Sequence, residues 1–205
     1  MKITWYGQSC FKLQNNEDVV LVDPQSPKNA GLKGPNLTAT IFVLTDPEDK
    51  KTSEAKEEMV INSPGEYEIR GTMIYGISCP RKEKNSTIYQ IEMDKIRYGF
   101  LGEINTQLME DELEHLDGID VLFVPVGGKN TLNAEKATEI INSIEPKIVI
   151  PCCYKIPQIK TALGTVEEFL KEIGVKNTEK LDKLSLNKKD LPAEETKVVI
   201  LEPRI

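Results

Sequence analysis

Short apolar runs of β-strand character fill the first half of this chain, and in the second half they begin to alternate with helical spacing. That change of rhythm constrains the fold more than any single residue does. Ile3–Tyr6, Cys10–Leu13 and Val19–Val22 come first, with Asn15-Asn16-Glu17-Asp18 as a hairpin turn. Thr40–Leu44, Met59–Ile61, Tyr67–Ile69, Met73–Ser78, Thr87–Met93 and Ile96–Leu101 follow, and Asp94-Lys95 has the form of a two-residue connection. Then the periods mix. Leu108–Leu116 has helical spacing, Val121–Pro125 reads as a buried strand, and Ala134–Ile144 reads as a helix ahead of Glu145-Pro146. Ile148–Pro151 is a second buried strand, Val166–Ile173 a helix that Gly174 ends, and Val198–Glu202 a closing strand. Antiparallel-type strands followed by strand–helix alternation predict an α/β (α+β) chain of two sheets with helices packed outside.

A chain of 205 residues, 39% hydrophobic and 29% charged, is long enough for a sizeable core, and one domain over residues 1–205 is expected. The net charge of −7 disfavours nucleic acid, whose phosphates need a basic surface. Met1-Lys2-Ile3-Thr4-Trp5 reads as a strand rather than a leader, and no apolar run approaches the roughly 20 residues that span a bilayer. A cytoplasmic protein without a membrane partner is expected. Its cysteines (Cys10, Cys79, Cys152 and Cys153) are then reduced thiols. None forms a C-x-x-C pair, and Cys152 and Cys153, if both in a strand, point to opposite faces.

The chain has one histidine, His115, in a segment that reads as a helix surface. Imidazole is the commonest neutral metal ligand, so a His-rich binuclear centre cannot be built here. No Walker loop and no Gly-x-Gly-x-x-Gly motif is present.

Several segments together resemble the metallo-β-lactamase fold superfamily, and within it the branch of ascorbate-6-phosphate lactonases and related bacterial hydrolases. They are Ile3–Phe11, Val20–Pro24, Ile41–Lys51, Ser63–Glu68, Phe100–Glu103, Asp120–Gly128 and Pro146–Tyr154. They occur in the family's order and cover most of the chain. The resemblance implies a four-layer αββα sandwich with a metal site at one edge of the two sheets.

The same resemblance implies where that site would lie. The family's His-x-His-x-Asp-His ligands fall on Asp46, Glu48, Lys50 and Lys51. A further family histidine falls on Phe100, the bridging Asp on Glu103, the final histidine on Cys153, and the early Gly-His-Ser on Gly7-Gln8-Ser9. No expected histidine is present. Asp46, Glu48, Glu103 and Cys153 are chemically able to bind zinc or manganese. The lysines are not: an ammonium about 4 Å from a divalent ion is repelled by roughly 8 kcal/mol at an effective dielectric of about 20. Lys50 and Lys51 are expected to act as counter-charges to Asp46 and Glu48. Without the resemblance, Asp46–Lys51 is an ordinary polar loop in which Thr45 or Asp46 caps a helix ahead of Pro47.

These residues predict a non-catalytic, metal-free member of the superfamily, a pseudoenzyme with a degenerate site and no expected cofactor. Its role would be to bind a small molecule or a protein, and homo-oligomers are compatible with it. The alternative is a metal-dependent hydrolase of the lactone or phosphoester class, with an atypical centre of Asp46, Glu48, Glu103 and Cys153.

Overall fold

The computed structural model describes residues 1–35, 37–49, 59–80, 85–160, 162–176, 178 and 180–205. Among these residues are fifteen strands and four α-helices. The first sheet takes β1 (Lys2–Trp5), β2 (Phe11–Gln14), β3 (Val19–Val22), β4 (Ile41–Val43) and β5 (Met59–Ile61). The helix α1 (Ser26–Asn29) lies between β3 and β4. The second sheet takes β6 (Gly65–Ile69), β7 (Thr72–Cys79), β8 (Ser86–Met93) and β9 (Ile96–Phe100), then β10 (Val121–Pro125) and β11 (Ile148–Cys152). Its connections carry α2 (Glu110–Glu114) and α3 (Ala134–Ile144), and α4 (Val166–Glu172) follows β11. The C-terminal segment adds β12 (Lys180–Leu181), β13 (Leu184–Ser185), β14 (Lys197–Val198) and β15 (Ile200–Leu201).

Strand order is β13-β1-β2-β3-β4-β5 in one sheet and β14-β11-β10-β9-β8-β7-β6 in the other. Each sheet is antiparallel in one half and parallel in the other: β3, β4 and β5 run parallel, as do β9, β10, β11 and β14. The sequence carries the difference. β10 and β11 are buried at every position, as strands in the parallel part of a covered sheet must be. The hairpin β2–β3 turns on Asn15, whose Oδ1 accepts from the N–H groups of Glu17 and Asp18 at 2.9 and 2.7 Å. The β8–β9 hairpin turns on Asp94 and Lys95, both with positive φ, as a two-residue turn matched to strand twist requires.

The sheets meet through aromatic side chains. Phe11 of the first sheet lies 4.4 Å from Phe123 of the second, and Phe123 stacks on Phe100 at 4.2 Å with the rings 6° apart. Trp5 packs at 5.1 Å on Tyr154. Helix α3 lays Ala137, Ile140, Ile141 and Ile144 inward and packs beside α4 and against β10. On the outer face of the first sheet, Tyr6, Cys10, Leu21, Ala39 and Phe42 form a smaller apolar cluster. The expected two-sheet α/β architecture is the one observed.

Two expectations are corrected. Val198–Glu202 is not one strand: Lys197–Val198 pairs with β11, and Ile200–Leu201 pairs with β12 in a separate two-stranded ribbon. Pro47 is not the first residue of a helix: Pro47 and Glu48 form a turn, and residues 50–58 beyond them lie outside the described residues. No helix among the described residues is long and apolar enough to cross a membrane.

Candidate functional site

Parallel strands of an open sheet present their carboxyl ends together, and side chains in the following loops converge there. Here both sheets do so at the same edge. β3 delivers Asp23, β4 delivers Thr45 and Asp46, β9 delivers Glu103, and β10 delivers Gly127–Thr131, while the turn after β1 adds Gln8 and Ser9.

Asp23 is the buried anchor of this edge. Its backbone is left-handed, at φ 45°, and its N–H donates to the Val43 carbonyl at 3.0 Å. Thr45 donates to it twice at 2.7 Å, from the backbone N–H and from Oγ1. Burial pushes the Asp23 carboxyl up to about 7, against the pull of both Thr45 bonds, and the Glu103 charge adds to the rise. Gly102 must be glycine: its φ is +64°, and a Cβ there would run into the Thr45 side chain.

Ser26 joins the two sheets. Its Oγ accepts from the Ser9 N–H at 3.2 Å and donates to Glu103 Oε1 at 2.5 Å. The two side chains form part of the walls of two adjoining cavities. The narrow one, about 20 Å³, is also lined by Ser9, Asp23, Thr45 and Asp46. The larger, about 140 Å³, is lined by Gln8, Lys129 and Thr131 on its polar side and by Ile159 and Leu163 on its apolar side.

Of the described positions matched to the family's ligands, Asp46 and Glu103 border the narrow cavity and Gln8 and Glu103 the larger one, while Glu48, Phe100 and Cys153 line neither. Asp46 is half-buried beside the narrow cavity, and its Oδ1 accepts from the Glu48 N–H at 2.9 Å, while the Glu48 side chain is exposed. Lys50 and Lys51, expected as their counter-charges, lie outside the described residues. Phe100 is buried in the inter-sheet stack. Gln8 is 6% exposed with a left-handed backbone at φ 50°, and its Nε2 makes no hydrogen bond among the described residues. Cys153 is fully buried.

The expectation that Cys152 and Cys153 point apart is corrected. β11 ends at Cys152, Cys153 turns left-handed at φ 52°, and the Cys153 thiol comes back to donate to Cys152 Sγ at 3.8 Å. Burial pushes the Cys153 thiol up, with the Cys152 contact adding to the rise, so it is a protonated group. Gly127 closes over it, and a Cβ at Gly127 would collide with the Cys153 carbonyl. His115 is exposed at the C-terminal end of α2.

Sequence reasoning missed Ser26, Asp23 and Lys129 as site residues. Asp23 stood inside a recognised segment, and Ser26-Pro27 is a helix-start signal that would have marked α1.

A metal is implied by the family, and the donors of this chain can be tested for it. Zinc asks for thiolate, imidazole or carboxylate donors gathered around one point. Cys153 is a buried thiol held by Cys152, Glu48 points to solvent, and Glu103 is engaged by Ser26. Among the described residues no three His, Cys, Asp or Glu side chains gather closely enough to hold a metal ion. The set Asp46, Glu48, Glu103 and Cys153 does not fit a metal in this arrangement.

Residues 2–153 match the family model of the β-lactamase superfamily domain. The chain is 23% identical to a UPF0173 metal-dependent hydrolase of Methanoculleus marisnigri, over 84% of this chain and 88% of that protein. It is 26% identical to a UPF0173 protein of Pyrococcus furiosus, over 84% and 90%. Its structure is similar to a crystal structure from Thermotoga maritima described as a candidate zinc-dependent hydrolase of the metallo-β-lactamase superfamily. There the TM-score is 0.80, with 28% identity, 98% of this chain and 99% of that chain covered. It shares its fold with Igni18, a metallo hydrolase of Ignicoccus hospitalis, at a TM-score of 0.63 and 17% identity over 98% and 95% of the chains. The ascorbate-6-phosphate lactonase branch is absent from these relatives. Their names favour the hydrolase alternative over a metal-free scaffold, and they give no support to an expected lack of metal.

Proposed function

The chain belongs to the β-lactamase superfamily domain family, and on that premise we propose that it is a hydrolase acting on a small substrate in the cleft where the two sheets end. The observation that carries this reading is similarity, over more than four-fifths of the chain, to a protein named a metal-dependent hydrolase, combined with a cleft that still has polar walls. Ser26, Glu103, Gln8 and Lys129 border one cavity, and Asp23 borders the adjoining one. A metal in such a cleft would lower the pKa of bound water and polarise a substrate oxygen. The residues of this chain do not fit that centre as placed, so no step of the reaction is drawn through it.

A second reading is favoured by one specific observation. Two family ligand positions hold side chains that are sealed rather than presented: Phe100 inside an aromatic stack and Cys153 beneath Gly127. That pattern suits a scaffold that binds without turnover.

One experiment separates the two. Protein expressed with zinc and manganese, then desalted without chelator, is analysed for metal content and screened on lactone, ester and phosphodiester substrates. Turnover supports the hydrolase, and metal dependence shows as loss on chelation. No turnover on any class, with near-zero metal, would turn the assignment to the binding scaffold.

A further inference from the structure

We propose that Ser26 and Glu103 form a metal-independent nucleophile–base dyad that hydrolyses small carboxylic esters in the cleft. This rests on the hydrolase reading and names the groups that would perform it where the family's metal donors do not converge.

The geometry is that of an activated hydroxyl. A serine nucleophile needs a base within hydrogen-bond reach and a third group that orients it. Ser26 Oγ donates to Glu103 Oε1 at 2.5 Å, and the Ser9 N–H at 3.2 Å fixes the same oxygen from the other side. With its proton aimed at the carboxylate and one lone pair held by Ser9, the hydroxyl keeps one lone pair for attack. Both residues line both cavities, so the dyad stands at the junction of the open cleft and its narrow extension.

The same wall holds groups suited to developing negative charge. Gln8 Nε2 is a buried donor with no hydrogen bond among the described residues. Lys129 is exposed at the cavity rim and makes no ion pair among the described residues. Ile159 and Leu163 line the same cavity and supply an apolar surface for an acyl group. A cavity of about 140 Å³ admits a ligand on the scale of a benzene ring, which sets the substrate as small. A serine hydroxyl with a carboxylate base beside it, next to an apolar surface, suits acyl transfer from a small neutral ester.

The chemistry balances without a co-reactant other than water. Ser26 Oγ attacks the ester carbonyl carbon while its proton passes to Glu103. The tetrahedral intermediate collapses with cleavage of the carbon–alkoxy bond, and Glu103 returns the proton to the leaving oxygen to give the alcohol. Water then attacks the acyl-serine, Glu103 takes one proton from it, the carbon–Oγ bond breaks, and that proton restores the Ser26 hydroxyl. The carboxylic acid departs.

The test uses the full chain with excess chelator. p-Nitrophenyl acetate is the substrate, and mass spectrometry follows acetyl transfer and labelling by a fluorophosphonate. The dyad predicts hydrolysis that survives chelation and a single adduct on Ser26. Glu103→Gln, which still accepts the Ser26 hydrogen bond, should lower kcat at least 100-fold with an unchanged far-UV spectrum, and Ser26→Ala should abolish the adduct. Turnover that chelator removes, or that persists in Ser26→Ala, would overturn the dyad and leave the hydrolase reading standing. Neither turnover nor labelling on any substrate class would overturn both.

Discussion

Ser26 Oγ and Glu103 Oε1 lie 2.5 Å apart although 77 residues separate them in sequence, and their hydrogen bond fastens the loop after β3 to the loop after β9. This contact joins the ends of both sheets at the cleft, beside the Thr87 N–H that donates to the Thr45 carbonyl at 2.9 Å. Hydrogen bonds to charged groups contribute about 1.5–3 kcal/mol, and an exposed carboxylate falls at or below the low end of that range. A double-mutant cycle of Ser26→Ala and Glu103→Ala by urea denaturation should give a coupling of about 1 kcal/mol. Additive effects of the two substitutions would show that the contact does not couple the sheets.

Asp23 sets a pH dependence. Its folded pKa of about 7 lies above the ordinary value of 3.8. Between those values the folded state keeps a proton that the unfolded state has released. Stability from this group is therefore full below about pH 4 and lost as pH rises towards about 7, by an amount on the order of a few kcal/mol. Asn fits the left-handed backbone and carries no charge. Asp23→Asn should flatten the fall between pH 4 and 7, read as the difference in melting temperature from the parent chain. Parallel curves for the two proteins would refute the assignment.

Asp120 acts in the opposite sense. It is buried at the junction of β9, β10 and the C-terminal segment, accepting from Lys147 Nζ at 2.9 Å, Lys188 Nζ at 2.7 Å and the Arg97 N–H at 3.0 Å. Burial raises its pKa, but the Lys188, Arg97 and Lys147 hydrogen bonds outweigh it and hold the carboxyl below its ordinary range. This stabilisation is fully present above the unfolded carboxylate pKa and is lost as pH falls from there through the lower folded pKa. Both lysines are about half exposed, which limits the effect. Asp120→Asn should cost about 1–2 kcal/mol at neutral pH and about nothing at pH 2, measured by chemical denaturation.

All four cysteines are buried thiols outside any disulfide. An aromatic disulfide reagent added to the native chain should titrate no thiol quickly, and the full complement should react once denaturant is present. Fast reaction of one thiol in the native state would mean that Cys153 is reachable from the cleft.

Helix Ala134–Ile144 is legible to the residue because Asn133 caps it, its Oδ1 accepting from the Lys136 N–H, and its apolar residues fall on one face. Strands such as Val19–Val22 and Val121–Pro125 are equally plain from their apolar runs. The C-terminal strand was not, because β14 and β15 are only two residues each, and periodicity says nothing of which neighbour a strand pairs with. Cys153 escaped for a different reason: the left-handed turn that ends β11 uses no glycine, so nothing local announces it. Ser26 was missed because its importance comes from Glu103, a contact no local pattern encodes.

The strand β1 illustrates how the fold closes on itself. Ile3 and Lys2 pair with Leu184 and Ser185, the Leu186 N–H reaches the Met1 carbonyl, and the Arg204 N–H reaches the Trp5 carbonyl. β1 thus keeps an unpaired edge until residues near 185 have been made. Contacts of such long sequence separation slow folding, because loop closure precedes the contacts that reward it. During that interval the exposed edge of β1 is a template for pairing with another chain.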